Sequence, residues 1–245
     1  MSAWLDPLRA ALDHATTPRT MFFRDDDAGW EDDRLLRLLD HFAGHGVPVD
    51  VAAIPAALGN ATARALVDRA AAAHGRLRVH QHGCAHRNHE PAGRKYEFGP
   101  RRSARRQQAD ICAGRAQLQM LLGPIVDPIF TPPWNRCTRV TAQVLLDLGF
   151  AALSRDAGAA PFGLGGLAEV PVHVDWVRHA REGTLGRALA AGAQGDGPLG
   201  IMLHHAVMDE SDFARLDTLL ALVARHPRVA CVPMRALLRP VPCEA

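Results

Sequence analysis

Helix–glycine–strand junctions recur along this sequence. Three helical stretches end at Gly46, Gly75 and Gly149, and a short apolar run follows each glycine. Glycine readily takes the left-handed conformation that ends helices, so each junction predicts a helix that leads directly into a strand. Further strands are expected near residues 20–24, 169–172, 199–203 and 229–232. Repeated units of this kind build a parallel sheet covered by helices.

The sheet is expected to close, or nearly close, into a deformed (β/α) barrel of about seven parallel strands. No glycine-rich nucleotide-binding turn follows the first strand, which disfavours an open doubly wound sheet. A chain of 245 residues with 48% hydrophobic residues can bury one substantial core. We therefore expect a single domain over residues 1–245, in which residues 1–18 form an N-terminal helical extension.

Charge and composition exclude several classes of protein. The formal net charge is only +2 and acidic and basic residues are interspersed, so neither nucleic acid nor a membrane surface is an expected partner. No export signal and no long apolar stretch are apparent, which predicts a cytoplasmic location. The five cysteines include no Cys-x-x-Cys pair and therefore predict neither a disulfide framework nor a thiolate zinc site. The oligomeric state stays open.

Acidic and histidine side chains follow the predicted strands. Three consecutive acids end the first strand, two histidines four residues apart follow a later one, and an acid and a histidine follow the strands near 169–172 and 199–203. These residues are Asp25, Asp26, Asp27, His82, His86, Asp175 and His204. Loops at the carboxyl ends of parallel strands converge on one site. Three adjacent carboxylates repel one another unless a positive group compensates. One carboxylate and two histidines can hold a divalent cation with positions left open for water and substrate, which predicts metal-assisted hydrolysis.

Five short segments resemble, in order and rough spacing, the motifs of the polysaccharide deacetylases, also known as carbohydrate esterase family 4 or the NodB-homology group. They are FRDDDA at 23–28, HGCAH at 82–86, FTPPW at 130–134, DW at 175–176 and MLH at 202–204. The resemblance covers about residues 20–207. It implies a NodB-type barrel that hydrolyses an N-acetyl or related amide with one divalent metal ion. Zinc suits the ligand set, and iron, cobalt, nickel or manganese would also fit.

The resemblance also implies roles for individual residues. Asp26 matches the general base, and Asp27 matches the metal ligand that acts together with His82 and His86. A shift of one residue would instead make Asp25 the base and Asp26 the ligand. His204 matches the general acid that protonates the departing amine.

Further residues match supporting positions. Asp175 matches the carboxylate that orients the general acid. The acyl pocket would be lined by Pro133, Trp134, Trp176 and Leu203. The segment 88–106, which contains Tyr96, is a long loop beside the metal histidines and is our candidate substrate lid.

Three positions depart from the family pattern. Thr131 stands where the family usually has an arginine that pairs with the base, so Arg24 or Arg136 would have to replace it. Ala28 replaces a glycine after the acids. His205 follows the acid histidine where an aspartate is common, which leaves open which imidazole faces the site.

Three functions are compatible with these features. The first is a metal-dependent amide hydrolase that removes an acetyl or similar acyl group from an N-acylated amino sugar or related compound, as a small molecule or an oligosaccharide. The second keeps the barrel and the metal but acts on another C–N substrate, such as a formamide, a cyclic imide or an acylated polyamine. The third is a catalytically silent barrel that binds a ligand.

Overall fold

The computed structural model describes residues 3–238. Within that range the α-helices are α1 (Asp6–Asp13), α2 (Asp32–His45), α3 (Asn60–Ala72), α4 (Ala104–Leu122), α5 (Arg139–Asp147), α6 (Trp176–Arg181), α7 (Leu185–Gln194) and α8 (Glu210–Val223). The strands are β1 (Arg19–Ala28), β2 (Val49–Ala53), β3 (Leu77–His82), β4 (Val126–Thr131), β5 (Ala152–Leu153), β6 (Ala168–Glu169), β7 (Val174–Asp175), β8 (Leu199–Leu203) and β9 (Val229–Cys231). No helix in the described part of the chain combines the length and apolar character that crossing a membrane requires.

All strands run parallel in one curled sheet. Neighbouring strands follow the order β6-β5-β4-β3-β2-β1-β8-β7, and β9 pairs with the start of β1. Within residues 3–238 no strand pairing joins β6 to β7, so the barrel is open on that side. The predicted deformed (β/α) barrel is confirmed, but eight strands form its wall instead of the expected seven.

Strand alternation separates the barrel interior from the helical layer. Met21 and Phe23 of β1 pack in the large apolar cluster beneath the helices, whereas Phe22 belongs to a smaller cluster on the opposite face. In β8, Leu199, Ile201 and Leu203 face the helices, and Met202 faces the interior. A period of two along each strand produces this division.

The glycine that was expected to end a helix does so at α2, whereas the start of α3 is capped without a side chain. Gly46 caps α2 with a positive φ of 65°, as expected. Helix α3 begins at Asn60. Its N-cap residue is Gly59, so no side chain caps this helix. Among the strands, β4 and β7 have no counterpart in the strands expected from the sequence. In β4, Asp127 and Pro128 interrupt the apolar run, which hides the strand signal.

Candidate active site

Four consecutive charged residues at the end of β1 point in different directions. Alternation places Arg24 and Asp26 in the barrel interior, and Asp25 faces outward. The pairing of β1 with β2 then shifts register between Asp25 and Ala28, and Asp27 has a left-handed φ of 72°. This irregularity turns the Asp27 side chain back toward the mouth of the barrel. Two successive carboxylates, Asp26 and Asp27, thereby reach the same site.

Asp27, His82 and His86 form a candidate metal centre. Their ligand atoms all lie within 4.8 Å of one another. Asp27 Oδ1 is 3.1 Å from His82 Nε2 and 3.3 Å from His86 Nε2. All three side chains are mostly buried. Two imidazole nitrogens and a carboxylate oxygen that converge in this way are a donor set suited to a divalent transition metal.

Thr131 orients the His82 ring. The Thr131 carbonyl oxygen accepts a hydrogen bond from His82 Nδ1 at 3.1 Å. A carbonyl can only accept, so Nδ1 carries the proton, and in the neutral ring Nε2 presents its lone pair toward Asp27. The Thr131 hydroxyl lies 2.9 Å from Nε2 of His80, a buried neighbour on the same face of β3. Thr131 therefore supports the metal centre although it cannot replace an arginine.

The loop that carries His86 is organised around one buried carboxylate. Glu97 accepts hydrogen bonds from the backbone N–H groups of Cys84 at 3.0 Å and Ala85 at 2.7 Å. At Gly83, where φ is 59°, a Cβ atom would collide with the Glu97 carboxylate and with Pro133. His86 itself has φ 51°. The loop thus folds tightly enough to bring His86 beside His82.

Arg24 supplies the guanidinium that holds Asp26. Arg24 Nε and Nη2 donate to the two carboxylate oxygens of Asp26 at 2.8 and 2.9 Å, in a fully buried bidentate pair. Arg24 also donates to Ser154 Oγ and to Asn135 Oδ1, each at 2.7 Å. Within residues 3–238, Arg136 makes no ion pair with Asp26. The guanidinium therefore comes from the strand that carries the acid itself, two residues away on the same face.

The charges around the site shift several pKa values. Burial alone would raise the pKa of Asp26, but the Arg24 guanidinium and nearby histidine charges outweigh it and lower the pKa. The pKa of Asp27 falls to about 2, because the hydrogen bond and charge of His82 outweigh burial. The same bond to Asp27 outweighs burial at His82 and raises its pKa. Burial and the His82 charge lower the pKa of His86 to about 4. Both acids are therefore ionised at neutral pH, and His86 is neutral.

His204 and His205 have different surroundings. His204 is half-buried at the end of β8, close enough to Asp26 and Asp27 for its charge to lower their pKa values. His205 is fully buried and faces the other way, with Nδ1 2.6 Å from Asp25 Oδ2 and Nε2 2.8 Å from the Trp30 carbonyl oxygen. His204 is thus the imidazole that faces the candidate site. Asp25 and His205, which we had not expected to pair, form a buried ion pair behind it.

Some expected site residues lie elsewhere. Asp175 accepts a hydrogen bond from Arg178 N at 3.1 Å and caps α6, and within the described chain no ion pair joins it to His204. Trp176 is fully buried, and its Nε1 donates to Asp212 of α8 at 3.1 Å. Leu203 is also fully buried in the cluster beneath the helices. The acyl-pocket positions assigned to Trp176 and Leu203 are corrected, since both side chains point out of the barrel into the helical layer.

The other three expected substrate-binding residues lie in loops around the candidate site. They are Pro133, Trp134 and Tyr96. Buried Pro133 packs against Gly83. Trp134 has a left-handed φ of 56°, and its ring lies 4.5 Å from the His86 ring, edge to face. Tyr96 is half-buried in the loop between β3 and α4, where its carbonyl oxygen accepts a bond from His89 N at 2.9 Å. Of the three, Trp134 has the direct contact with a candidate metal ligand.

Comparison with known proteins gives matches among solved structures alone. No protein-family model and no curated protein matches the sequence. Solved structures do match. A family 4 acetyl xylan esterase from Clostridium thermocellum, determined with a cobalt ion, aligns over 89% of this chain and 90% of its own, with 13% identity and a TM-score of 0.62. A family 4 carbohydrate esterase from Streptomyces lividans, determined with acetate, aligns over 88% and 92%, with 14% identity and a TM-score of 0.56. The chain has the polysaccharide deacetylase fold.

The polysaccharide deacetylase fold includes active and inactive proteins. A family 4 pseudoenzyme from Bacillus anthracis aligns over 92% of this chain and 67% of its own, with 14% identity and a TM-score of 0.62. A mutant of that protein has restored enzymatic activity. At these identities the likeness concerns the fold, so activity has to be argued from the residues of the site.

Proposed function

We propose that this protein is a metal-dependent amide hydrolase that removes an acetyl or similar acyl group from an N-acylated amino sugar or a related compound. The main support for the proposal is that two neighbouring acids each have their own partners at one site. Asp27 lies against His82 and His86, and Asp26 lies in a bidentate pair with Arg24. A ligand and a base next to each other are what metal-assisted hydrolysis requires.

The donor set of the centre fits a divalent metal ion. His82 is held by the Thr131 carbonyl with Nε2 directed at Asp27, and the lowered pKa of His86 keeps its ring neutral. Asp27, His82 and His86 would hold the ion, and zinc is the metal that we favour for this set. When bound, such an ion lowers the pKa of water and polarises an amide carbonyl.

Two side chains of the protein carry out the proton transfers, one as the base and one as the acid. Asp26, kept ionised by Arg24, accepts a proton from the attacking water at a carboxylate oxygen. His204, at the end of the adjacent strand β8, donates a proton to the departing nitrogen. Arg24 holds Asp26 in one orientation through two hydrogen bonds, which reduces the reorganisation that the reaction needs.

Four single variants and one double variant test the mechanism. Asp26→Asn and His204→Ala should each lower kcat for acetate release by about 10²–10⁴-fold while the bound metal is retained. His82→Ala should lose the metal, as measured by elemental analysis after dialysis. His45→Ala, which removes a surface histidine paired with Asp217, is the control and should keep both metal and activity. Acetate release that survives in the double variant Asp26→Asn/His204→Ala would exclude the mechanism.

The silent-barrel alternative loses its main support. Its motivation was Thr131, which leaves the base without the family's arginine. Arg24 occupies that role from β1, with both nitrogens bonded to Asp26.

A further inference from the structure

The Arg24 guanidinium has partners on several strands besides the base candidate Asp26. It donates to Ser154 Oγ after β5 and to Asn135 Oδ1 after β4, each at 2.7 Å. Its Nη2 also lies 3.0 Å from the sulfur of Met202 on β8. Ser154 and Met202 are buried, whereas Asn135 is half-buried in the loop that follows β4. Of these three partners, Asn135 is the one that belongs to a loop of the candidate site.

The orientation of the Asn135 amide follows from the chemistry of its neighbours. A guanidinium can only donate hydrogen bonds, so the amide oxygen has to face Arg24 and the amide nitrogen has to face away from it. Asn135 Nδ2 accordingly lies 3.1 Å from the Met202 sulfur, which is a weak acceptor. Arg24 Nη2 donates to the amide oxygen and also to Asp26 Oδ2 at 2.9 Å. One amide therefore holds the same guanidinium nitrogen that binds the base candidate.

The backbone gives this amide little freedom. Asn135 has a left-handed φ of 56°, a region that asparagine enters more readily than most residues. Its N–H group donates to the Pro132 carbonyl oxygen at 2.9 Å. The preceding residue, Trp134, has the same φ, and its ring contacts the His86 ring. Two successive side chains of one turn thus contact the guanidinium and a candidate metal ligand.

The pair of Arg24 and Asp26 needs contacts outside β1. Its two hydrogen bonds fix Asp26 relative to Arg24, but both residues lie on one strand, so these bonds do not fix the pair relative to the metal histidines. Ser154 supplies one contact with another strand, and its own hydroxyl donates to the Val170 carbonyl oxygen at 2.7 Å. Asn135 supplies the contact that leads to the turn beside His86. A base has to be held precisely with respect to the water that it deprotonates.

We propose that Asn135 is a positioning residue that fixes the pair of Arg24 and Asp26 relative to the metal centre. It acts through Arg24 and does not bind the substrate. This inference rests on the proposed function and adds to it a residue that the five sequence motifs do not include. Because displacement of a base slows the chemical step, the contribution of Asn135 should appear in kcat.

Steady-state kinetics of the metal-loaded protein tests this role. Asn135→Gly removes the amide, and glycine accepts the positive φ without strain. For acetate release from the N-acetylglucosamine tetramer, kcat should fall by about tenfold, because a hydrogen bond to a charged group is lost. KM should stay within about twofold of the wild-type value, and the metal content should not change. Asn60→Gly makes the same change at an exposed asparagine at the start of α3 and should leave kcat unchanged.

Three results would overturn the inference. An unchanged kcat in Asn135→Gly would show that the other contacts of Arg24 are sufficient. A higher KM with unchanged kcat would make Asn135 a substrate contact. Loss of metal in Asn135→Gly would show that the turn supports His86 and has no separate role at the base.

Urea unfolding separates this inference from the proposed function, because it requires no turnover. Asn135→Gly should lower the urea midpoint of the wild type. The decrease should be much smaller in the variant Arg24→Met/Asp26→Leu, where the amide has no guanidinium to bind. If the wild type releases no acetate but this difference is observed, the proposed hydrolysis fails alone and the link between Asn135 and Arg24 is supported. Equal decreases in both backgrounds would contradict the inference.

Discussion

At the scale of single residues, the run from Arg24 to Asp27 divides its charges among separate partners. Asp25 pairs with His205, Asp26 pairs with Arg24, and Asp27 faces the metal histidines. Each carboxylate is thereby compensated by its own cation or hydrogen-bond donor, which is how three adjacent acids can be mostly buried. The sequence indicated that these acids need compensation. It predicted His82 and His86 beside Asp27 and offered Arg24 or Arg136 for Asp26, but it did not identify His205 as the partner of Asp25, because that histidine lies 180 residues away along the chain.

Removal of Arg24 should cost both stability and activity. Arg24→Met leaves Asp26 buried without its cation, and we expect a loss of about 3–5 kcal/mol in the free energy of unfolding. The double variant Arg24→Met/Asp26→Leu removes both charges and should recover most of that stability while remaining inactive. Urea unfolding of the two variants and the wild type measures this. If the double variant is no more stable than the single one, the pair does not behave as a coupled buried ion pair.

Metal affinity should depend on pH through His82. The bond to Asp27 outweighs burial and raises the pKa of His82, so in the absence of metal its proton is retained to higher pH than usual. A metal ion has to displace that proton, and we expect the affinity for Zn²⁺ to rise as pH increases from 6 to 8. Competition titrations with a chelator at several pH values measure the slope. A flat profile would contradict protonation of His82 in the metal-free protein.

At the scale of elements, the loop between β3 and α4 is built around Glu97. Its carboxylate is almost fully buried and binds the backbone N–H groups of Cys84 and Ala85 between the two metal histidines. Sequence reasoning treated the later part of this loop as a candidate substrate lid. The structure adds a positioning role for Glu97 that no local pattern indicated, since its partners are backbone groups 12 and 13 residues away.

Substitution of Glu97 should weaken metal binding without unfolding the barrel. Glu97→Gln keeps the shape but loses the charge, and its amide can present only one acceptor oxygen to two N–H groups. We expect metal affinity to fall by about 10–100-fold, as for other residues that support a ligand from behind. Glu182→Gln, at a surface ion pair with Arg178, is the control and should bind metal normally. Wild-type affinity in Glu97→Gln would show that the loop holds His86 by other means.

At the scale of the whole molecule, the buried Asp25–His205 pair ties the end of β1 to the segment after β8. Both His205 nitrogens face acceptors, so the ring is a doubly protonated imidazolium. Burial opposes that charge, but Asp25 and the Trp30 carbonyl outweigh burial and raise the pKa of His205 to about 9. His205 directly follows the candidate general acid His204 and also bonds the Trp30 carbonyl oxygen. The pair therefore connects the segment after β8 to the turn after β1.

Global stability should therefore decrease in mildly alkaline solution. Because the folded pKa of His205 exceeds the ordinary value of 6.5, its contribution is complete below pH 6.5 and is lost as pH rises toward 9. The loss should reach about 3 kcal/mol in the free energy of unfolding. His205→Gln should be less stable than the wild type at pH 6, and its free energy of unfolding should change less between pH 6.5 and pH 9. The control variant His45→Gln removes a histidine that pairs with Asp217 at the surface, and its stability should depend on pH as in the wild type. Parallel pH profiles for the wild type and His205→Gln would contradict this.

The sequence by itself determined the architecture and was sufficient to predict the candidate metal centre. Helix-to-glycine junctions and apolar runs are local signals, and they were sufficient for the βα repeat and for most helices. The family resemblance predicted Asp27, His82 and His86 as ligands, and the structure brings these three side chains together at the carboxyl ends of the strands. The strand number was underestimated because Asp127 and Pro128 interrupt the apolar run of β4 and because the two-residue strand β7 is too short to show a period.

Only the tertiary structure decided which way each side chain points. A bulge and one positive φ brought Asp27 to the same site as Asp26, and alternation sent Leu203 into the helical layer. Glu97 and His205 found their partners through contacts that depend on the path of a long loop and on the pairing of β1 with β8. Such contacts depend on relative positions in three dimensions, and a one-dimensional pattern of residue types does not encode them.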